Sequence, residues 1–274
     1  MTRARAGQHF LTDRNLLQKI VSGLDPNPTD LVLEIGAGRG DLTRVVAPQV
    51  GRVVAIEMDR RLAAELGTRN VERGTTNVKI VEGDALQLDW HSLLDVSPDA
   101  PRSAFRVPHF KIIGNIPYYI TSPLIEKTLT PPFPSRIVFL VQREVADRLA
   151  AQPGSKVYGA LSVGVQAEAD VEQLLMIKPG AFQPPPKVDS AVVRITPRAD
   201  PLVRPEERTA FRAFVTACFG QRRKQLRNAV AVALGRPASA VSALLVELGF
   251  EQTRRPETLA PADFVRVLRA GRRL

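Results

Sequence analysis

Asn115, Ile116, Pro117 and Tyr118 form an unbroken run, and together they can hold the exocyclic amine of a flat base. Such an amine is a poor nucleophile because its lone pair is delocalised into the ring. The side-chain oxygen of Asn115 and the backbone carbonyl of Ile116 can each accept one N–H, which draws that lone pair out of conjugation. Pro117 fixes its own φ and restricts Ile116 to an extended conformation, aiming the carbonyl. Tyr118 offers a face on which a base can stack, worth about 1–3 kcal/mol in single-strand binders. The same four residues are also ordinary turn chemistry, so their meaning rests on the elements that position them.

Those elements follow a regular order. Thr12 and Asp13 can cap a helix with Leu16, Leu17, Ile20, Val21 and Leu24 on one face, and Pro26 and Pro28 end it. Five runs rich in Val, Ile and Leu follow at 31–35, 53–56, 78–81, 110–113 and 137–141. Such runs suit strands buried on both faces of a parallel sheet. Residues 42–50, 60–66 and 144–151 read as helices between or after them. The expected fold is α/β: a doubly wound, Rossmann-like domain. Residues 158–166 and 188–195 read as a closing antiparallel pair across a proline-rich loop, 179–187, and 198–205 as a linker. Beyond it only helices are predicted, at 206–219, 222–234, 238–248 and 261–270. The expected organisation is a catalytic domain over 1–200 and a small all-helical domain over 201–274.

Glu34-Ile35-Gly36-Ala37-Gly38-Arg39-Gly40 follows the first buried strand and opens a helix. Glycines there let the backbone approach a ligand at the strand's carboxyl end. A nicotinamide dehydrogenase offers a similar turn, but its spacing is G-x-G-x-x-G; here it is G-x-G-x-G, with Glu34 in the strand before it. Glu57 ends the second strand, where a carboxylate can accept both ribose hydroxyls. Asp84 follows the third strand and can accept from an adenine amine. With the Asn115 run after the fourth strand, these features describe a site for S-adenosylmethionine beside a clamp for a base amine. The chemistry needs no metal.

Net charge is +10, with +8 on residues 201–274 and +2 on residues 1–200. The C-terminal part is therefore where a polyanion is expected to be held. The single cysteine, Cys218, excludes an internal disulfide and reads as a small buried hydrophobe. The start of the chain is basic with no apolar segment behind it, unlike a signal peptide, and no apolar run is long enough to span a bilayer. A cytoplasmic protein is expected.

From Gly7 onward the chain resembles the ribosomal RNA adenine N6,N6-dimethyltransferase family, specifically its housekeeping small-subunit branch. The resemblance is carried by Gly7-Gln8-His9-Phe10-Leu11, Glu34-Ile35-Gly36-Ala37-Gly38, Glu82-Gly83-Asp84-Ala85 and Gly114-Asn115-Ile116-Pro117-Tyr118. It continues through Leu161-Ser162-Val163, the run from Phe182 to Ser190, and the run from Phe219 to Asn228. It implies that His9, Leu11, Gly36, Glu57, Asp84 and Asn115 line the cofactor pocket, with Gln8 and Gly38 beside them. It makes Phe182 a candidate for the second face of the base, though a loop anchor is equally consistent. Arg223 and Arg227, four apart, with Arg222 and Lys224 beside them, then suit phosphate contacts on a helix face.

The implied substrate is a pair of adjacent adenosines in a 16S RNA hairpin, within the immature small ribosomal subunit, and the implied state is a monomer. The large-subunit branch that confers antibiotic resistance and a mainly non-enzymatic assembly factor are the alternatives. Ile116 stands where Leu is usual, Tyr119 where Asn is frequent, and Ala37-Gly38-Arg39 where Pro-Gly-Leu is common. Arg39 puts a cation beside the cofactor turn.

Overall fold

The computed structural model describes residues 9–72, 74–95, 110–130 and 132–272. The basic run at 1–7 and Gln8 lie outside the described residues. Strand β1 (Phe10–Leu11) leads into α1 (Arg14–Gly23). Asp13 caps that helix, its Oδ1 accepting from the N–H groups of Asn15 and Leu16 at 2.8 and 3.1 Å and satisfying donors that no helical turn reaches. Then β2 (Leu31–Ile35), α2 (Asp41–Val46), β3 (Arg52–Glu57), α3 (Arg60–Glu72) and β4 (Val78–Glu82) alternate. They are followed by α4 (Trp90–Leu93), β5 (Phe110–Asn115), α5 (Thr121–Thr128) and β6 (Arg136–Gln142). After α6 (Arg143–Leu149) and α7 (Ala160–Gln166) come β7 (Ala169–Ile177), β8 (Phe182–Gln183) and β9 (Ser190–Pro197).

The main sheet has the order β4-β3-β2-β5-β6-β9-β7. Strands β2 to β6 run parallel, and β9 is antiparallel to β6. Val32, Leu33, Val53, Ile112, Ile113 and Val138 are fully buried, as covering both faces of a parallel sheet requires. The chain leaves β2 toward β3 on one side and later returns to place β5 on the other. The switch point between β2 and β5 is where a ligand crevice forms in sheets of this kind.

Residues 158–166 do not pair with 188–195: Ala160–Gln166 is helix α7, and β9 lies between β6 and β7. Leu161, Val163 and Val165 alternate with small or polar residues as a strand would. Local hydrogen bonding favours the helix instead. The Ser162 hydroxyl accepts from Gly159 N–H at 3.1 Å and donates to the Arg148 carbonyl at 2.5 Å, while Val163 N–H reaches Gly159 O at 3.0 Å.

The chain divides into two compact units, 1–146 with 171–197, and 147–170 with 198–274. A linear boundary at 200 is therefore crossed by 147–170, which packs with the helical unit. That unit contains α7, α8 (Arg208–Gly220), α9 (Leu226–Leu234), α10 (Ala238–Glu247) and α11 (Pro261–Gly271). Its core gathers Tyr158, Phe211, Phe214, Cys218 and Phe264. The Tyr158 hydroxyl is satisfied by the Leu259 carbonyl at 2.9 Å. Glu168, also buried, meets Arg208 at 2.5 Å and Arg212 at 3.5 Å. Desolvation raises its pKa, and the two guanidiniums oppose the rise. Among the described residues no single helix is long and apolar enough to cross a membrane.

Candidate active site

The sheet register sets Ile35 beside Ile56 and Gly114, and Ile56 beside Val81. The residues at or just beyond these positions (the glycine turn, Glu57, Asp84 and Asn115) therefore emerge along one sheet edge, around the switch point. They line a single cavity together with His9, Leu11, Ile116, Pro117 and Tyr118. Every cofactor residue expected from the sequence reaches this cavity: His9, Leu11, Gly36, Gly38, Glu57, Asp84 and Asn115.

The turn is tied to β3 by two hydrogen bonds, from Gly36 N–H and Ala37 N–H to the Ile56 carbonyl at 2.9 and 3.1 Å. Gly36 has φ +73°, and a Cβ there would stand 3.2 Å from the Asn115 carbonyl oxygen. Only glycine satisfies both demands without strain. Glu57 holds the turn from below: its Oε2 accepts from Gly38 N–H and its Oε1 from Asp59 N–H, each at 2.8 Å. Each oxygen keeps a further lone pair, so the carboxylate can still accept from two ligand hydroxyls.

Asp84 Oδ1 accepts from Leu86 N–H at 2.9 Å. The turn that follows is held by Lys127, whose ammonium donates to the carbonyls of Ala85, Leu86 and Leu88 at 2.9, 2.9 and 2.7 Å. The same ammonium lies 4.8 Å from the centre of the Trp90 ring, and its desolvation there lowers its pKa. Lys127 was invisible in the sequence, since its partners lie some forty positions away. Glu34 also lines the cavity. It is buried, and desolvation pushes its pKa up to about 8 against hydrogen bonding from Thr43.

The Asn115 run is set by His9, the residue just before β1. Asn115 Nδ2 donates to the His9 backbone carbonyl at 2.9 Å. A carbonyl can only accept, so the amide must turn its nitrogen toward His9 and its oxygen away. Ile116 N–H is held by the Leu140 carbonyl at 3.1 Å, and Pro117 is extended at φ −57°, ψ 131°. Tyr118 is fixed at both ends. Its hydroxyl lies 3.2 Å from Ser190 Oγ, and its ring stacks on His9 with centroids 5.9 Å apart. The His9 ring is itself anchored, Nδ1–H donating to the Pro184 carbonyl at 2.8 Å.

The family model for ribosomal RNA adenine dimethylase matches residues 1–265. The chain belongs to this family. It is 40% identical over 268 residues to ribosomal RNA small subunit methyltransferase A of Moorella thermoacetica, covering 97% of this chain and 91% of that protein. The corresponding protein of Syntrophotalea carbinolica is 42% identical over 264 residues, covering 96% of this chain and 94% of the relative. Among solved structures, a dimethyladenosine transferase from Plasmodium falciparum superposes with a TM-score of 0.79 at 26% identity, covering 94% of this chain and 96% of that one. The 23S rRNA methyltransferase ErmE superposes with a TM-score of 0.71 at 27% identity, covering 95% and 98%.

One residue expected at the base pocket, Phe182, sits elsewhere than the sequence suggested. Phe182 is 5% exposed, pairs with Leu11 across β1 and β8, and packs in the core of its unit rather than lining the cavity. It anchors the proline-rich loop; a ring with so little free surface has no open face for a base. Arg222 keeps 40% of its side chain exposed while its Nε donates to Glu257 Oε2 and its Nη2 to the Lys156 carbonyl, both at 2.6 Å.

The expected helix over 222–234 also starts later. Residues 221–225 form a turn and α9 begins at Leu226, whose buried side chain and N–H, bonded to the Arg254 carbonyl at 2.6 Å, fix that start. Arg223, Lys224 and Arg227 remain exposed, though on a turn and a first helical turn rather than one continuous face. Arg227 N–H reaches Gln252 O at 3.3 Å, so the loop bearing exposed Arg254 and Arg255 adjoins them. Sequence spacing gave no hint of these two.

Tyr119, 67% exposed, lies at the cavity rim. Arg39 packs over Phe10, its guanidinium carbon 4.3 Å from the ring centre.

Proposed function

We propose that this chain uses S-adenosylmethionine to dimethylate the N6 amine of two adjacent adenosines in a hairpin of small-subunit (16S) ribosomal RNA during ribosome biogenesis. The observation that carries the reading is the Asn115 amide. Its nitrogen is engaged by His9, its oxygen faces away from that contact, and it stands beside Glu57, Asp84 and the glycine turn in one cavity. Membership of the dimethylase family and the small-subunit relatives support the choice of RNA. The large-subunit reading has structural support in ErmE, but the relatives at about 40% identity are small-subunit enzymes by name.

When bound, the cofactor supplies a methyl group on a sulfonium sulfur, which leaves as a neutral thioether. Glu57 would accept from the ribose hydroxyls and Asp84 from the adenine amine, while His9, Leu11, Gly36 and Gly38 complete the walls. For the substrate, Asn115 Oδ1 and the Ile116 carbonyl would accept the two N6 hydrogens, and Tyr118 would stack on the base once it is out of its helix. Holding the amine in line supplies about 7–11 kcal/mol in favourable cases. The methylated amine is acidic enough to lose its proton to water, so no general base is assigned. Arg223, Lys224 and Arg227 would contact phosphates, giving affinity rather than sequence choice, with the chain acting as a monomer on the immature subunit.

The test is incorporation of labelled methyl groups by the purified chain. Immature small subunits should be modified and naked large-subunit RNA should not; the reverse pattern would overturn the assignment.

A further inference from the structure

The clamp depends on a short strand that the methyl-transfer chemistry itself leaves unexplained. His9 supplies the carbonyl that orients Asn115 and the ring that backs Tyr118, yet β1 contains only Phe10 and Leu11 and pairs with the two-residue strand β8. Four residues of ladder are too few to hold it alone.

Besides the buried Leu11 side chain and the bond of the His9 ring to the Pro184 carbonyl, a further tether runs to the cofactor turn. The Phe10 ring rests on the cofactor turn: a Cβ at Gly38 would come within 3.1 Å of Phe10 Cε1. Gly38 has φ +57° and gives its N–H to Glu57, so the peptide beneath the ring is fixed. Arg39, the next residue of the same turn, folds back over the ring at 4.3 Å from its centre. Phe10 thus touches both the backbone of Gly38 and the guanidinium of Arg39.

We propose that Arg39 and Phe10 are positioning residues: they latch the strand that follows His9 onto the cofactor turn, and so keep the Asn115 amide oxygen turned toward the substrate amine. Neither acts on the reacting atoms. The latch couples the two halves of the site, because anything that orders the glycine turn also orders the carbonyl that orients the clamp. It also gives Arg39 a partner within the protein rather than in the ligand. The inference rests on the methyl-transfer reading above.

The test compares the unmodified chain with Arg39→Leu, Arg39→Lys and Phe10→Ala by two measurements. Amide hydrogen exchange in the free protein reads the strand directly. Methyl transfer at saturating S-adenosylmethionine and immature small subunits reads kcat. Arg39→Leu should speed exchange in β1 and β8 alone, leave the melting temperature in place, and lower kcat by roughly two- to fivefold, the worth of a cation–π contact made by an exposed guanidinium. Arg39→Lys, which keeps a cation over the ring, should recover most of that loss, and Phe10→Ala should lose at least as much as Arg39→Leu.

Unchanged exchange and unchanged kcat in Arg39→Leu would overturn the latch, as would a kcat loss that Arg39→Lys fails to recover. Absence of any methyl transfer by the unmodified chain would instead count against the enzymatic reading, and the exchange measurement would still decide the latch.

Discussion

Asn115→Asp separates two accounts of the clamp. If Asn115 matters only as an acceptor for an N6 hydrogen, a carboxylate is at least as good, since hydrogen bonds to charged acceptors are the stronger kind. The structure argues otherwise. The amide nitrogen sits 2.9 Å from the His9 carbonyl, and replacing it with oxygen sets two acceptors against each other. The hydrogen bond, worth about 1 kcal/mol net, is lost, and the carbonyl is left unsatisfied at about 1–3 kcal/mol. The new charge also enters a cavity already lined by Asp41, Glu57 and Asp84. Rotating the carboxylate to escape the carbonyl moves the catalytic acceptor off its line.

A cost of about 1–3 kcal/mol, in which the unsatisfied carbonyl already contains the lost bond, corresponds to a loss of roughly 5- to 150-fold in kcat. The assay is steady-state methyl transfer into immature small subunits, with circular dichroism melting as the check on folding. A folded Asn115→Asp protein retaining kcat within about threefold of the parent would refute the reasoning, because a uniform loss of about 0.7 kcal/mol leaves no room for the His9 contact.

Three further outcomes follow from the geometry. Glu34 binds its proton more tightly when folded, with a pKa of about 8 against 4.5. Between those values the folded state therefore holds more protons than the unfolded one, and stability should fall as pH rises through that window. Glu34→Gln should flatten that fall in urea melts, and an unchanged slope would show that other groups cause it. Phe182→Leu should cost about 1–2 kcal/mol of stability with kcat unaltered; a drop in kcat at full folding would return Phe182 to the base pocket. Neutralising Arg223, Lys224 and Arg227 together should weaken RNA binding and lower the salt slope of log K by about 2–3. An unchanged slope would place the phosphate contacts elsewhere.

Much of the catalytic unit was legible because its code is local. Continuous Val, Ile and Leu runs mark strands covered on both faces, and each strand's last residues must emerge at the same edge. That alone brings Glu57, Asp84 and Asn115 together. What failed to show depends on distant partners. The alternation of Leu161, Val163 and Val165 reads as a strand, until Ser162 finds the Arg148 carbonyl. Nothing near Arg222 foretells that its guanidinium meets Glu257, thirty-five positions on. Lys127 carries no signal in the sequence; only three convergent carbonyls make it the support of the Asp84 turn. His9 and Leu11 entered through family resemblance, and the contact of His9 with Asn115 explains why a residue so early in the chain belongs to the site.

The central claim is that this chain places two methyl groups on N6 of adenosines in small-subunit RNA. Mass spectrometry of that RNA, from cells lacking the protein and from the same cells with it restored, tests the claim most directly. The account predicts that N6,N6-dimethyladenosine is absent without the protein, returns with it, and stays absent when Asn115→Ala is supplied instead. Dimethyladenosine persisting in the deficient cells, or returning with Asn115→Ala, would contradict it.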